Sequence, residues 1–325
     1  MSDNGPLLSV RVQRKQQEAL DICSLELVPV NDQQLPAFTA GSHLDLHLPG
    51  GVVRQYSLCN TPDQATHYQV AVLRDAQSRG GSKAVHDLLH EGDVLNISHP
   101  KNHFALAPSA SRHLLLAGGI GVTPMMAMAE TLAAQGAVFE MHYCTRSAER
   151  TAFAPRLAAA PYSAHVHLHH DDGDASQKID IEALLRNQAS HADTHLYVCG
   201  PQGFMDAVLN TARAQAWPEA RLHYEFFSTA PTARDTDGPF EIEIASSGQV
   251  ITVPADSTAL QALLKAGVDV LMSCEQGVCG TCLTRVKSGE PDHRDQYLTP
   301  DEHAANDQFT PCCSRSKSER LVLDL

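Results

Sequence analysis

Four cysteines constrain this 325-residue chain more than any other feature. Cys274, Cys279 and Cys282 form a C-x4-C-x2-C run, and a 29-residue gap separates it from Cys312. That spacing is the one that holds a plant-type 2Fe–2S cluster. Three thiolates crowded into one loop need a reason to escape oxidation, and iron ligation supplies it. Gly277 and Gly280 stand between the cysteines, where a missing side chain lets backbone N–H groups approach sulfur. Such hydrogen bonds help set a cluster's potential. Zinc is the competing metal, because C-x2-C is half of many zinc sites. The four-residue arm and the distant fourth cysteine fit zinc poorly.

Length and patterning place this loop at the end of a multidomain chain. Residues 1–108 read as short strands between turn signals, including Ser42–Leu48, Val52–Asn60, Tyr68–Leu73 and Asp93–Ser98. That spacing predicts an antiparallel β-barrel or sandwich, with one helix over Ser82–His90. Residues 109–228 alternate strands with helices, which predicts an α/β parallel sheet with covered faces. Thr123 and Pro124 read as N-cap and first helical residue. Residues 229–238 are a linker by composition. Residues 239–325 open with a hairpin, Phe240–Ala245 and Val250–Val253. A helix capped by Asp256 or Ser257 follows and ends at Gly267, ahead of the cysteine loop.

Charge and composition exclude several functions. The net charge of −14 argues against nucleic acid and anionic membranes as partners. No apolar stretch approaches the roughly 20 residues of a transmembrane helix, and Met1–Pro6 lacks the pattern of a signal peptide. Nine cysteines suit a reducing cytoplasm. From Thr236 onward 7 Lys/Arg stand against 14 Asp/Glu, a net of −7. An acidic face that steers a basic redox partner is one reading of that excess, and ordinary solubility is the other.

Two further sites are legible. Gly118-Gly119-Ile120-Gly121-Val122-Thr123-Pro124 lies between a strand and a helix, where a pyrophosphate-binding turn is required. It departs from G-x-G-x-x-G, since Pro124 replaces the third glycine, so a plain strand–helix connection is the alternative. Cys199-Gly200-Pro201 adds a second loop at the same sheet edge. In the first segment, Arg54-Gln55-Tyr56-Ser57-Leu58 alternates its side chains across a strand, and Gly80-Gly81-Ser82 opens a helix that suits a phosphate. Taken alone, the strand and turn also read as ordinary barrel structure. His169-His170-Asp171-Asp172 offers metal-ligating side chains, but neighbouring residues at a strand end face opposite ways and cannot easily share an ion. It therefore reads as a solvated loop, placed where the adenosine end of a nucleotide could sit. His99 and His103 have no partner visible in the sequence.

Together, and in this order, these motifs resemble the phthalate dioxygenase reductase family, in which a ferredoxin-reductase-like module is fused to a plant-type ferredoxin. The resemblance covers essentially the whole chain and is most specific over Cys274–Leu325. It implies a flavin barrel, a nucleotide-binding α/β domain and an α+β ferredoxin of β-grasp type. It implies FMN held by Arg54, Tyr56, Ser57, Leu58, Val72, Gly80, Gly81 and Ser82, with Phe227 favoured over Phe226 as the ring's cover. Gly119, Gly121, Thr123, Pro124, Thr145, Arg146, Cys199, Gly200 and Pro201 would hold NADH, with NADPH open through Arg146. Cys274, Cys279, Cys282 and Cys312 would ligate the cluster, with Cys313 spare. No side chain is assigned a catalytic role beyond cofactor chemistry. The implied route runs from NADH to FMN, through the cluster, to a Rieske-type oxygenase docked at the acidic ferredoxin and acting on an aromatic substrate. A monomer is the default expectation. An oxygenase for quaternary amines, or a zinc-binding or redox-sensing protein, are the alternatives.

Overall fold

The computed structural model describes residues 6–31, 34–62, 66–76, 78, 80–189, 193–227, 234 and 236–325. The chain divides into two compact units, Asp3–Phe227 and Ser228–Leu325. Most of the expected linker, 229–238, lies outside the described residues.

The first unit begins with β1 (Leu8–Ala19), β2 (Ile22–Pro29), β3 (Ser42–Leu48), β4 (Val52–Ser57) and β5 (Tyr68–Leu73). Helix α1 (Gly81–Asp87), β6 (Val94–Ile97) and β7 (Lys101–Asn102) follow. The strands pair antiparallel in the order β4-β3-β6-β1-β2-β5, with β7 against β3. A bridge between Leu58 and Val70 joins the two ends of that order and closes the barrel. The alternation in the sequence explains the interior. Val10 and Val12, Leu44 and Leu46, and Val70 and Val72 point inward and are buried, each worth roughly 1.5–3 kcal/mol on transfer from water.

The parallel sheet comprises β8 (Arg112–Gly118), β9 (Val138–Thr145), β10 (Val166–His170), β11 (Thr194–Cys199) and β12 (Leu222–Glu225). Its order is β10-β9-β8-β11-β12, and every pair is parallel. Helix α2 (Val122–Ala134) buries every residue from Val122 to Ala129 and Leu132, as expected for a helix whose first two turns are apolar all round. Helices α3 (Ala154–Ala159), α4 (Ile181–Ala189) and α5 (Gln202–Ala214) complete the layers. Barrel and sheet share one core: Ile22, Ala40, Cys59, Ala71 and Phe104 pack with Ala117, Met125, Met128 and Tyr197.

Three local expectations are corrected. Helix α2 begins at Val122 with Gly121 as N-cap, because the Thr123 hydroxyl donates backward to the Ile120 carbonyl at 3.0 Å rather than capping. His169 and His170 lie in β10 rather than in a loop, and His169 Nε2 sits 2.9 Å from His142 Nδ1 on the neighbouring strand. In the second unit the helix cap is Thr258, not Asp256 or Ser257. Its hydroxyl accepts from Gln261 N while the Gln261 side chain returns to Thr258 N, a reciprocal capping box.

The second unit contains β13 (Phe240–Ile244), β14 (Val250–Val253), α6 (Ala259–Lys265), β15 (Thr284–Ser288) and β16 (Pro291–Asp292). Helix α7 (Pro300–Ala305), β17 (Gln308–Phe309), β18 (Arg315–Ser316) and β19 (Arg320–Leu323) complete it. Five strands order as β14-β13-β19-β15-β17, with only β13 and β19 parallel. Ala259, Ala262 and Leu263 of α6 pack on Ile242, Val286, Leu321 and Leu323. This is the expected α+β ferredoxin fold. Its entry is pinned electrostatically. Arg294 Nη1 and Nη2 donate to the two oxygens of Asp237 at 2.8 and 2.5 Å. Arg315 donates to the Ser257, Gly238 and Pro254 carbonyls. The last residues of the expected linker therefore belong to this unit.

Candidate cofactor sites

On the barrel, the first candidate site forms where β4, β5 and α1 meet. A Cβ on Gly81 would fall 2.5 Å from Arg54 Cγ, so the arginine lies across the start of α1 and only glycine leaves it room. Gly80 adopts a φ of +95°, which a side chain would strain. The far end of α1 is fixed by Lys15, whose Nζ donates to the Val85, His86 and Leu89 carbonyls at 2.7–2.8 Å. His86 Nε2 sits 2.9 Å from the Val72 carbonyl, tying α1 to β5. The Ser82 hydroxyl accepts from Asp75 N at 3.1 Å. Arg54, Val72 and Gly80–Ser82 are thus brought together by packing. A cationic guanidinium over two glycines at a helix start fits a phosphate, and the half-buried Tyr56 beside it supplies a flat face. Burial pushes the Tyr56 hydroxyl well above the usual phenol range, with Arg54 opposing. Leu58 is fully buried in the closing bridge.

Register sends Ser57 to the opposite face of β4, toward the parallel sheet. Its hydroxyl donates to Glu225 Oε2 at 3.3 Å, and His43 Nδ1 on β3 stands 3.9 Å from Glu225 Oε1. Burial raises the Glu225 carboxyl to about 7, opposed by the Ser57 hydrogen bond. The Cys199 thiol at the end of β11 is held protonated, first by burial and then by Glu225. Sequence reasoning missed Glu225 and His43. The available signal was an acid at the carboxyl end of a parallel strand, where open α/β sheets place their ligands. Just beyond it Phe226 is buried edge-on against Tyr224, whereas Phe227 stays half-buried on the shared core.

Two loops pack back to back at that same sheet edge. A Cβ on Gly121 would lie 2.2 Å from the Cys199 carbonyl oxygen, and one on Gly200 2.9 Å from Gly118 Cα. Gly119 has a φ of +52° and open space above it. A cradle of bare backbone remains, which fits a dinucleotide's phosphates. Pro201 is the N-cap of α5. Thr123 and Pro124 are buried beneath the turn. Thr145 is buried and donates to the Ser147 carbonyl at 3.1 Å, while Arg146 next to it is exposed.

In the second unit the four cysteines converge. All four are buried, and no cysteine of the nine is in a disulfide. Cys274 is hydrogen-bonded by Cys279 and Cys312 and by the backbone N–H groups of Val278 and Gln276, which draw its thiol down toward the thiolate. The proton held by this shared group correspondingly raises Cys279 and Cys312. Gln276 N approaches Cys274 Sγ at 3.3 Å, and Thr281 N approaches Cys279 Sγ at 3.4 Å. Gly277 and Gly280 have φ of +71° and +69°. Cβ atoms there would meet Cys313 Sγ at 2.3 Å and the Tyr297 ring at 2.2 Å. Four buried sulfurs with backbone N–H donors aimed at them fit an iron–sulfur cluster. Cys313 points instead to Thr310, its Sγ 3.2 Å from the hydroxyl.

A barrel with a phosphate cradle, a parallel sheet with a dinucleotide turn and a four-cysteine ferredoxin unit together define an iron–sulfur flavoprotein reductase. The profile of the 2Fe-2S iron-sulfur cluster binding domain matches residues 242–317, and that of the dimethylamine monooxygenase subunit DmmA-like N-terminal domain matches 97–222. The chain is 54% identical over 307 residues to the vanillate O-demethylase oxidoreductase of Pseudomonas sp. (strain HR199 / DSM 7063), covering 94% of this chain and 96% of that one. It is 40% identical to the phthalate dioxygenase reductase of Burkholderia cepacia, over 98% and 97% of the two chains. A solved phthalate dioxygenase reductase, described as a modular structure for electron transfer from pyridine nucleotides to [2Fe-2S], superposes with a TM-score of 0.79 at 40% identity over 98% of each chain. The chain belongs to the phthalate dioxygenase reductase family. It is an iron–sulfur oxidoreductase of the kind that serves oxygenases as their reductase component. No helix among the described residues is long and apolar enough to cross a membrane.

Proposed function

We propose that this chain is the cytoplasmic, monomeric reductase partner of a Rieske-type oxygenase that acts on a methoxylated aromatic acid of the vanillate type. Support for the substrate class is the 54% identity to a vanillate O-demethylase oxidoreductase, against 41% to the reductase subunit of a tert-butanol monooxygenase. The observation that carries the redox assignment is the convergence of Cys274, Cys279 and Cys282, in one loop lined by N–H donors, with the distant Cys312, all four buried. The domains run 1–108, 109–228 and 239–325.

FMN, when bound, takes a hydride and gives up its electrons singly, which is the cofactor's own chemistry. The chain's residues position and insulate it. Arg54 with Gly80, Gly81 and Ser82 would anchor the phosphate and the half-buried Tyr56 would face the ring, while Leu58 and Val72, buried in the barrel, would back the strands that carry it. Ser57, whose hydroxyl here donates to Glu225, would offer it to the flavin, and Phe227 would cover the flavin. Gly119, Gly121, Thr123, Pro124, Thr145, Arg146, Cys199, Gly200 and Pro201 seat the dinucleotide. Glu225, with a carboxyl near neutrality, holds or releases a proton beside Ser57 as charge at the site changes. On the ferredoxin unit the oxygenase docks around the cysteine loop. Exposed Leu271, Met272 and Tyr297 provide an apolar centre, and exposed Asp269, Asp301 and Glu302 an acidic rim. Such a rim selects a basic partner and speeds encounter.

The test is an NADH-dependent assay with two readouts. Wild-type protein should bleach its flavin and reduce cytochrome c. Cys279→Ser should keep flavin bleaching and lose at least about 100-fold in cytochrome c reduction, about 2.7 kcal/mol in barrier terms. Undiminished cytochrome c reduction in the variant would put the cluster off the electron route.

A further inference from the structure

Apart from the cysteine loop, the second unit brings three further metal-ligating side chains to one point. His293, Asp295 and His303 each aim a ligand atom at the others, all within 4.8 Å. His303 Nε2 is 3.3 Å from both Asp295 oxygens, and His293 Nδ1 is 3.8 Å from Asp295 Oδ1. The Asp295 side chain is fully buried, that of His293 is 8% exposed and that of His303 30% exposed.

The protonation of His293 makes this arrangement incomplete. Its Nε2 lies 3.2 Å from Asn306 Oδ1, an acceptor, so Nε2 carries the hydrogen. Nδ1 then presents a bare lone pair toward a carboxylate, is buried, and has no hydrogen-bond partner. Two electron-rich atoms facing each other in a low-dielectric site require a positive charge between them. A histidine that donates its second ring nitrogen to a carbonyl while the first is free is the usual state of a metal ligand.

We propose that His293, Asp295 and His303 form a second metal site, for a zinc-class divalent transition ion. Two imidazoles and one carboxylate suit such an ion rather than calcium or magnesium, which prefer all-oxygen shells. The two rings stack with centroids 4.4 Å apart. Ligand bonds of about 2.0–2.2 Å need His303 to turn out of that stack, and its exposure on α7 leaves it free to do so. Water completes the shell on that open side.

The site lies against the cysteine loop. Gln296 N donates to the Gly277 carbonyl at 2.9 Å, and Ser314 donates to Asp295 Oδ1 at 3.4 Å. Asp295 Oδ2 accepts from Leu298 N and Tyr297 N at 2.8 and 3.2 Å. An ion there would clamp residues 293–303 over both glycines of the loop and slow loss of the cluster.

The experiment uses holoprotein, flavin and cluster intact, dialysed against EDTA and titrated with zinc chloride by calorimetry, with iron measured alongside. One zinc per chain should bind with a dissociation constant on the order of 10 µM or tighter, with iron content unchanged. His303→Ala and His293→Gln should each weaken that binding about tenfold or more while keeping the cluster's visible spectrum. His303→Ala is the safer variant, since its side chain is partly exposed. Unaltered zinc affinity in His303→Ala, no uptake by the wild type at about 100 µM, or uptake matched by iron loss would each overturn the proposal.

Discussion

The cysteine loop and the flavin–nucleotide junction do related chemistry but are built in opposite ways. Three of the cluster's four ligands sit in one stretch with little regular secondary structure, Cys312 joining them from beyond β17, and the geometry of the stretch is set by glycines at positive φ and by N–H groups of adjacent residues. The junction joins Ser57 and Glu225, 168 residues apart, which meet only because barrel and sheet share a core. A site held by metal–ligand bonds can be local, because each bond is strong and directional. A site for cofactors held by weak contacts needs a rigid frame, and its residues come from wherever the frame passes.

That contrast breaks most sharply at Gly121. A methyl group there would press to 2.2 Å from the Cys199 carbonyl oxygen and 2.4 Å from its carbon, both backbone atoms with little freedom to retreat. Overpacking of this kind costs about 1–3 kcal/mol and forces the dinucleotide turn from the second loop. Gly121→Ala is expected to weaken NADH binding tenfold or more, about 1.4 kcal/mol or more. The cluster's visible spectrum should be unchanged. Loss of cluster in step with NADH binding would mean that the two sites do not fold independently.

Glu225 sharpens the comparison from the junction's side. Its carboxyl is raised from 4.5 to about 7, so the folded chain binds its proton more tightly than the unfolded chain. Stability from this group is complete below about pH 4.5 and is lost as pH rises through about 7, at most roughly 3 kcal/mol. Glu225→Gln lacks that slope. Its melting temperature relative to wild type should therefore climb between pH 5 and pH 8, while stopped-flow flavin reduction by NADH falls roughly tenfold. Parallel melting profiles across that range would remove Glu225 from the buried titrating group described above.

The same contrast explains what the sequence disclosed. The cluster ligands were legible because covalent chemistry fixes their spacing. Arg54, Gly80 and Gly121 were legible because close approach to a phosphate or a neighbouring loop demands a particular residue type. Glu225 and His43 were not, since one acid and one histidine on strands acquire meaning only when register and packing bring them to Ser57. Arg315 was not legible either. In the fold it holds the Ser257, Gly238 and Pro254 carbonyls, a role set by three distant backbone groups. Thr258 was overlooked as a helix cap beside Asp256 and Ser257 because all three residue types cap well, and only the reciprocal bond with Gln261 decides.

The smallest expected effect tests the cysteine loop at its one ambiguous position. Cys312 and Cys313 are adjacent and both buried, yet their surroundings differ. Cys312 is hydrogen-bonded to Cys274 and Cys282 as well as to its neighbour, whereas Cys313 Sγ reaches the Thr310 hydroxyl at 3.2 Å and fills the space that Gly277 leaves open. Serine at 313 keeps a hydrogen-bonding group within reach of Thr310 and Ser314 and gives up some packing, a cost of about 1 kcal/mol. Cys313→Ser should hold its iron and sulfide within about twofold of wild type, with the cluster absorbance unshifted, whereas Cys312→Ser should lose the cluster. The reverse pattern would transfer the fourth ligand to Cys313, and with it the claim that spacing alone identifies a covalent site.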